Sequence, residues 1–402
     1  MKGYTFYAER PIGRQYKTDL GLVVATLLLW GLGIVTLYTC SPSTAARLLQ
    51  GDKYYYVVRQ LISSAIGFAL LLFFALLPMD KIRSLLPYFV LGALVLCLLT
   101  FIPKIGVERN GARRWIRIAG LGTLQPSELA KFAVILFLAN LFDRQKESGE
   151  YDDDANSFIK PLGGLLLFVT VVFAQKDLST GIIIFLVGAI LFFVSGARIS
   201  WFFPLFFLGT IAGGLLTFKE EYRVRRLLAF FRPDEFASTT GFQLTQSKKA
   251  IVSGGLWGQG MGTGLVRTPY IPEVYADYIF AGWTEAMGLV GVLAYFVLIG
   301  FFAWRAYRVA FTTPDRFSAL GTFGCATLIL MQSLLNCAVV CGAVPTTGIP
   351  LPFFSFGGSS IIVTLAMCGF MLNASRCESS LPGNTYYDNN DDTESYETVV
   401  EL

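Results

Sequence analysis

The feature that most limits the fold of this chain is a series of apolar stretches, each long enough to cross a lipid bilayer. A hydrocarbon core about 30 Å thick needs about 20 mostly apolar residues in a helix. Such stretches recur from Leu20–Tyr38 to the region around Ile361–Leu372. Of the 402 residues, 54% are hydrophobic and only 15% are charged. The short alternating segments of a membrane β-barrel are absent from the sequence. We therefore predict an all-α polytopic membrane protein.

The apolar pattern predicts about ten transmembrane helices with one large loop between helices 7 and 8. The predicted spans are residues 18–39, 56–77, 84–102, 125–142, 161–175, 180–196, 201–218, 278–303, 317–340 and 358–375. We divide the chain into a ten-span domain, 1–376, and an acidic tail, 377–402. The tail contains no Lys or Arg and is expected to be disordered. It either solubilises this end of the chain or binds a partner.

The distribution of basic residues predicts the orientation of the chain in the membrane. An even number of spans places both termini on the same side. Basic residues near the N-terminus and after the second and eighth predicted spans indicate that this side is cytoplasmic. They are Lys2, Arg10, Arg14, Lys17, Lys81, Arg83, Arg305, Arg308 and Arg316. The loop of residues 219–277 is then extracytoplasmic.

The short loop Lys104–Gly120 departs from this charge rule. It lies on the predicted outer face, yet it carries five basic residues, namely Lys104, Arg109, Arg113, Arg114 and Arg117. The long loop 219–277 adds Arg223 and Lys248, among others. Basic residues are usually more frequent on the cytoplasmic side. Their presence on the predicted outer face indicates an anionic ligand there. The alternative is a contact with lipid phosphates that has no specificity.

Carboxylates at the edges of apolar spans are candidates for chemistry, since an acid is costly to bury in lipid. Asp277 precedes the eighth predicted span and is expected at its outer lip. Glu285 follows two helical turns later and is expected to lie deeper in the membrane. In the fourth span, Glu128 and Lys131 are three residues apart and can form an ion pair. The chain has no His, so acid–base chemistry falls to other side chains.

Two irregular segments border the same predicted outer face. The sequence "AQKDLSTG" (174–181) places Lys176 and Asp177 between two short spans, and its simplest interpretation is a polar turn. The sequence "VPTTGIPLPFFSFGGSS" (344–360) is apolar but rich in Pro and Gly. Irregular backbone at membrane depth persists only where protein or water satisfies it. We therefore predict a buried re-entrant stretch, or the wall of a cavity.

An ordered set of motifs resembles the shape, elongation, division and sporulation family. The motifs are "NGARRWI", "LQPSELAKF", "KDLSTG", "GFQLTQSKKAI", "GGLWGQGMG", "IPEVYADYIFA" and "GIPLPFFSFGGSS". The resemblance extends from about Asp19 to Arg376 and is strongest to the division branch. It implies ten spans with cytoplasmic termini and polymerisation of lipid II into glycan strands. It also implies a complex with a class B penicillin-binding protein and other divisome membrane proteins, in the bacterial inner membrane at the septum. No nucleic-acid partner is expected.

The resemblance implies a role for each candidate site residue. Asp277 is expected to be the catalytic base, or else to hold a divalent cation, Mg²⁺ or Mn²⁺, on the diphosphate. The substrate-binding set is Arg114, Glu128, Lys131, Arg223, Lys248 and Glu285. Other hypotheses remain open: a lipid II flippase or transporter, an elongation-type enzyme, and a scaffold for the penicillin-binding protein.

The chain departs from the family pattern at five positions. Tyr275 and Ala276 stand where the family often has His and Thr, and Ala286 replaces a second glutamate. Lys176 replaces a Pro, and Ser179 replaces a Gly. These changes remove the His and the second glutamate from any mechanism here, but they leave Asp277 in place.

Overall fold

The computed structural model describes most of the chain. The described residues are 18–42, 45, 52–109, 112–118, 122–147, 155–196, 207, 209, 214, 221–232, 235–236, 241–263 and 275–376. Within them are eleven helices: α1 (Leu20–Cys40), α2 (Tyr55–Leu76), α3 (Met79–Leu99), α4 (Pro126–Glu147), α5 (Ala155–Ala174), α6 (Leu178–Val194), α7 (Glu221–Phe231), α8 (Phe242–Gly254), α9 (Ile279–Thr312), α10 (Arg316–Cys341) and α11 (Gly358–Ala374). Nine of these match predicted spans. The other two, α7 and α8, lie in the long connection 219–277.

The helices confirm a polytopic membrane protein. Among the described residues, α1, α2, α3, α9 and α10 are long and apolar enough to cross a bilayer, and shorter apolar helices occur in α5, α6 and α11. All but three residues of the predicted seventh span, 201–218, lie outside the described residues. The tail 377–402 also lies outside them. The count of ten spans therefore stays a prediction.

The two ends of the helix bundle can be told apart by their contacts. Arg305 in α9 donates two hydrogen bonds to the carboxylate of Asp19, the N-cap of α1, at 3.0 and 2.6 Å. Ser375, just after α11, accepts a bond from the Asp19 amide at 3.1 Å. We call this the basal end. The opposite end, where α1 ends at Cys40 and α10 ends at Cys341, carries a small sheet and is called the sheet end.

The sheet occupies most of the predicted connection Lys104–Gly120, and the apolar pattern gave no expectation of strands there. It has three antiparallel strands, β1 (Gly106–Arg109), β2 (Ala112–Ile118) and β3 (Gly122–Leu124). The signal for a hairpin was the Asn–Gly pair in "ERNGARR", which favours a two-residue connection. The sheet fixes Arg114 on its central strand, so this side chain has a defined position.

Helix α9 is in fact two helical segments folded back on each other at Gly288. The backbone there has φ 62° and ψ −160°, a conformation open essentially to glycine alone. The rings of Phe280 and Tyr295 lie 5.3 Å apart, although 15 residues of straight helix would separate them by about 22 Å. The Trp283 indole also donates to the Gly291 carbonyl at 2.9 Å. The short segment before Gly288 therefore runs antiparallel to the long segment after it.

The connection after α8 supplies hydrogen-bond partners at this reversal. The amides of Leu289 and Val290, which begin the long segment, donate to the carbonyls of Gly255 and Leu256 at 3.0 and 3.2 Å. The amide of Gln259 donates to the carbonyl of Glu285 at 2.8 Å. The broken helix is thus satisfied by protein backbone, as irregular structure in a membrane requires.

Helix α11 is the most enclosed part of the bundle and packs closely against α2. Every residue from 359 to 374 except Ile362 is buried. A Cβ atom added to Gly369 would lie 2.3 Å from the carbonyl oxygen of Leu71 in α2. Glycine therefore lets the two backbones approach, as small residues do between membrane helices. This packing holds the irregular segment just before α11 in place.

Candidate active site

Asp277 lies in a turn, residues 275–278, that leads into α9. The turn is fixed at two main-chain carbonyls. The carbonyl of Tyr275 accepts a hydrogen bond from the Phe356 amide at 2.8 Å, and that of Asp277 accepts one from the side chain of Asn336 in α10 at 2.9 Å. The Tyr275 ring stacks on that of Tyr56 at 4.0 Å. Asp277 is half-buried, so its main chain is held in place while the residue stays partly accessible.

The depths of the two acids are the reverse of the sequence prediction. The Asp277 carbonyl binds Asn336, five residues before α10 ends at Cys341, which places it about 7 Å below the end of that helix. The short segment of α9 then runs back towards the sheet end. Glu285 accordingly lies near the sheet end, at a level that we call the rim, where Ser253 of α8 donates to its buried carboxylate at 3.0 Å. The prediction assumed one straight helix, and the reversal at Gly288 overturned it.

The Pro- and Gly-rich segment forms a wall beside Asp277, and its residues 349–355 are mostly buried, as predicted for a buried irregular stretch. Gly348 has φ 73°, and a Cβ atom added to it would stand 3.5 Å from Oδ2 of Asp277. The carboxylate therefore faces bare backbone at this point. Farther along, Gln60 of α2 donates to the Ser355 carbonyl at 3.1 Å and accepts from the Gly357 amide at 3.3 Å. The buried Gln60 side chain thus replaces the hydrogen bonds that a helix would make.

The segment 174–181 is more than a polar turn, because Asp177 is buried at the centre of a hydrogen-bond cluster. Its Oδ2 accepts from the side chains of Gln125 and Ser127 at 3.0 and 3.1 Å. Its Oδ1 lies 3.7 Å from Nη1 of Arg114. Only 3% of the Asp177 surface is exposed, and a buried carboxylate needs such partners. The cluster joins β2, the start of α4 and the start of α6.

The two predicted substrate-binding arginines meet at the same point. Arg114 from β2 and Arg223 from α7 both donate to the carbonyl of Lys176, the latter at 2.9 Å. Lys176 has φ 64°, which turns its carbonyl towards them at some backbone strain. Three cationic residues are thereby concentrated at the sheet end. Such a cluster can bind an anion such as a diphosphate.

A side-chain hydrogen bond connects this cluster to the wall beside Asp277. The Ser179 hydroxyl, in the first turn of α6, donates to the Thr347 carbonyl at 2.9 Å. Thr347 precedes Gly348, which faces the Asp277 carboxylate. The departure from the family pattern at Ser179 therefore has a structural use, since glycine has no side chain to make this bond.

The remaining predicted site residues lie in two other places. Lys131 and Glu128 form the predicted ion pair inside α4 at 2.7 Å, and both are buried. Lys248 is exposed on α8, and its side chain packs over Gly342 at the end of α10. Glu128 and Lys131 thus neutralise each other within the protein, whereas Lys248 is open to an anionic group at the rim.

Sequence reasoning did not single out two residues that the structure connects to the site. Gln60 and Asn336 are buried polar side chains in mainly apolar helices, and each bonds irregular backbone. The available signal was an amide within an apolar span, which needs a partner there.

Comparison with known proteins gives a consistent assignment. The profile of the family of FtsW, RodA and SpoVE, described as "Cell cycle protein", matches residues 20–380. The chain belongs to this family. The resemblance of the sequence motifs to the FtsW, RodA and SpoVE family is therefore confirmed.

Relatives and solved structures in the family match nearly their full length. The chain is 34% identical to stage V sporulation protein E of Bacillus subtilis, over 89% of this chain and 97% of the relative. It is 35% identical to a probable peptidoglycan glycosyltransferase FtsW of Geobacter metallireducens, over 89% and 94%. A chain from a structure described as a peptidoglycan synthase complex has a TM-score of 0.75 and 26% identity, with coverage of 90% and 99%. RodA of Thermus thermophilus has a TM-score of 0.67 and 26% identity, with coverage of 90% and 98%.

Proposed function

We propose that this protein is a peptidoglycan glycosyltransferase that polymerises lipid II into glycan strands. Family membership and relatives named FtsW support this activity. The observation that carries it is the placement of Asp277. A half-buried carboxylate sits in a fixed turn below the end of α10 and faces the bare backbone of Gly348. Such a carboxylate can accept a proton from a reactant held against that wall.

The reaction makes three demands on the protein. A glycan hydroxyl attacks an anomeric carbon while a lipid diphosphate leaves, and the hydroxyl proton passes to a base. Asp277 is the proposed base. The charge that develops on the diphosphate must be stabilised in the transition state, and Arg114 and Arg223 are the proposed cations. The lipid chain remains in the apolar surroundings of the helices.

Asp277 has a second candidate role, as the ligand of Mg²⁺ or Mn²⁺ on the diphosphate. Within the described part of the chain, no three His, Cys, Asp or Glu side chains come together as a metal site. Asp277 would then supply one carboxylate, with phosphate oxygens and water as the other ligands, an arrangement that Mg²⁺ accepts. Polymerisation measured in EDTA and after addition of each cation distinguishes this role from that of a base.

The first prediction concerns the charge cluster. We expect Arg114→Ala to lower the rate of polymerisation by about 10²–10³-fold, the usual cost of removing one transition-state donor. Arg117→Ala on the same strand is the control, because Arg117 is exposed. Rates are measured with labelled lipid II, and melting temperatures are recorded because Arg114 also contacts Asp177. Equal rates for the two variants would show that Arg114 does not act on the diphosphate.

The second prediction concerns orientation. We propose that the sheet end is extracytoplasmic and that both termini are cytoplasmic, in the bacterial inner membrane. In a Cys-free background, we expect an impermeant maleimide to label Lys249→Cys on intact cells but to leave Lys146→Cys unlabelled. Both positions are exposed, the first on α8 and the second at the basal end of α4. The reverse labelling pattern would invert the topology.

We further propose that the protein acts with a class B penicillin-binding protein and other divisome proteins at the septum. A structural neighbour from a peptidoglycan synthase complex supports a synthase partner. The motifs that resemble the division branch and the relatives named FtsW are the basis for proposing a role in division. A fluorescent fusion of the full chain tests the location: enrichment at the septum is expected, and distribution along the side wall would favour elongation.

One pair of assays separates this function from transport and scaffolding. Purified protein with labelled lipid II is expected to yield glycan polymer. Flipping of lipid II in reconstituted vesicles without any polymer would indicate a transporter. If neither activity occurs in the presence of the partner, a scaffold is the better description.

A further inference from the structure

Asn336 connects the two irregular segments that meet at the candidate site. It lies in α10, five residues before the helix ends at Cys341, and only 1% of its surface is exposed. Its Nδ2 donates to the carbonyl of Asp277 at 2.9 Å and to the carbonyl of Ile349 at 2.8 Å. One amide group thus binds the turn that carries Asp277 and the wall that it faces.

The chemistry of these contacts fixes how the side chain is oriented. Both partners are main-chain carbonyls, which only accept, so the NH₂ group must point at them and the amide cannot be flipped. Neither carbonyl belongs to a helix or strand, so no regular hydrogen-bond ladder would replace the contact. Asp277 is held by this bond and Tyr275 by the amide of Phe356. Loss of Asn336 would leave only the second of these two main-chain anchors.

We propose that Asn336 is a positioning residue for the polymerisation reaction. It acts through Asp277, by setting the position of the carboxylate relative to Gly348, and it does not touch the substrate. This inference rests on the proposed function and extends it to a residue on a different helix. A displaced base reacts slowly, because proton transfer requires hydrogen-bond distance. The defect should therefore appear in kcat and leave KM unchanged.

The chain offers a matched control for this test. Asn373 at the basal end is also buried, and its Nδ2 also donates to two main-chain carbonyls, those of Phe74 and Leu77, at 2.6 and 2.5 Å. Asn336→Ala and Asn373→Ala thus remove the same type of contact, one at the site and one away from it. We expect similar losses of melting temperature in the two variants.

The experiment measures kcat and KM for polymerisation of labelled lipid II by the purified full chain with its partner. We expect Asn336→Ala to lower kcat by about tenfold or more with KM within about twofold, and Asn373→Ala to retain nearly wild-type kcat. Equal kcat for the two alanine variants, or a rise in KM alone, would overturn the positioning role.

A second variant covers the case in which Asn336→Ala does not fold. Asn336→Gln retains both donors but is one methylene longer, so it should fold while moving the Asp277 turn, with a similar fall in kcat. Wild-type kcat in Asn336→Gln would then count against the proposal. Failure of this inference is distinct from failure of the proposed function: in the latter case, the wild type and Asn373→Ala also form no polymer.

Discussion

Gly288→Val is expected to prevent stable folding of the protein. The backbone at Gly288 has φ 62° and ψ −160°, and a residue with a side chain incurs strain of about 1–3 kcal/mol there. The new Cβ would also lie 2.4 Å from the amide nitrogen of Gly258 and 2.5 Å from the carbonyl oxygen of Leu256. Overpacking of this kind typically costs a further 1–3 kcal/mol. The loss is a large part of a total stability of about 5–15 kcal/mol.

The measurement is the melting temperature and the yield of folded protein in detergent. Gly300→Ala in the long segment of α9 is the control for a glycine with open space, because no atom lies within 4 Å of the added Cβ. It should be neutral, or stabilising by up to about 1 kcal/mol through better helix propensity. A Gly288→Val protein that melts like the wild type would contradict the helix reversal.

The sequence made the spans predictable but not the reversal inside α9. Apolar length and the cost of buried charge define where a helix can cross a membrane, and nine described helices follow that pattern. The stretch from Ile279 to Thr312 is mostly apolar and contains no proline, so composition alone favours one straight helix. Its break depends on the backbone of Gly255 and Leu256, more than 30 residues earlier in the chain. A main-chain contact between such distant residues leaves no periodic pattern in the sequence.

The site was predictable in its residue types more than in its geometry. Acids and cations near apolar spans pointed to Asp277, Arg114 and Arg223, because such residues are costly unless they have partners or a function. The cluster around Asp177 was missed because its members come from three separate elements, β2 and the starts of α4 and α6. The relative depth of Asp277 and Glu285 was also missed, since it depends on the direction of a helical segment only nine residues long.

Asp277→Asn is expected to reduce polymerisation to background while the protein still folds. Asparagine keeps the size of the side chain but removes the charge and the basicity that either proposed role requires. The main-chain bond from Asn336 to residue 277 does not depend on the side chain. An amide is also easier to bury than a carboxylate near lipid. Melting temperature is recorded to show that the loss lies in the chemistry.

Two further variants define the role of the carboxylate. Asp277→Glu should recover little activity, because one extra methylene moves the carboxylate by roughly 1 Å or more. Glu285→Gln should affect stability more than rate, because Glu285 is buried and bonds Ser253 at the rim, two helical turns from Asp277. An inactive Glu285→Gln beside an active Asp277→Asn would mean that the other carboxylate carries the chemistry.

The most direct test of the glycosyltransferase assignment is the yield of glycan polymer from labelled lipid II. The purified full chain with its penicillin-binding partner is compared with the Asp277→Asn protein in the same complex. The wild type is expected to form polymer and the variant none, with equal melting temperatures. Polymer from both proteins at similar rates would contradict the account of Asp277 as base or metal ligand, and no polymer from either would contradict the proposed activity itself.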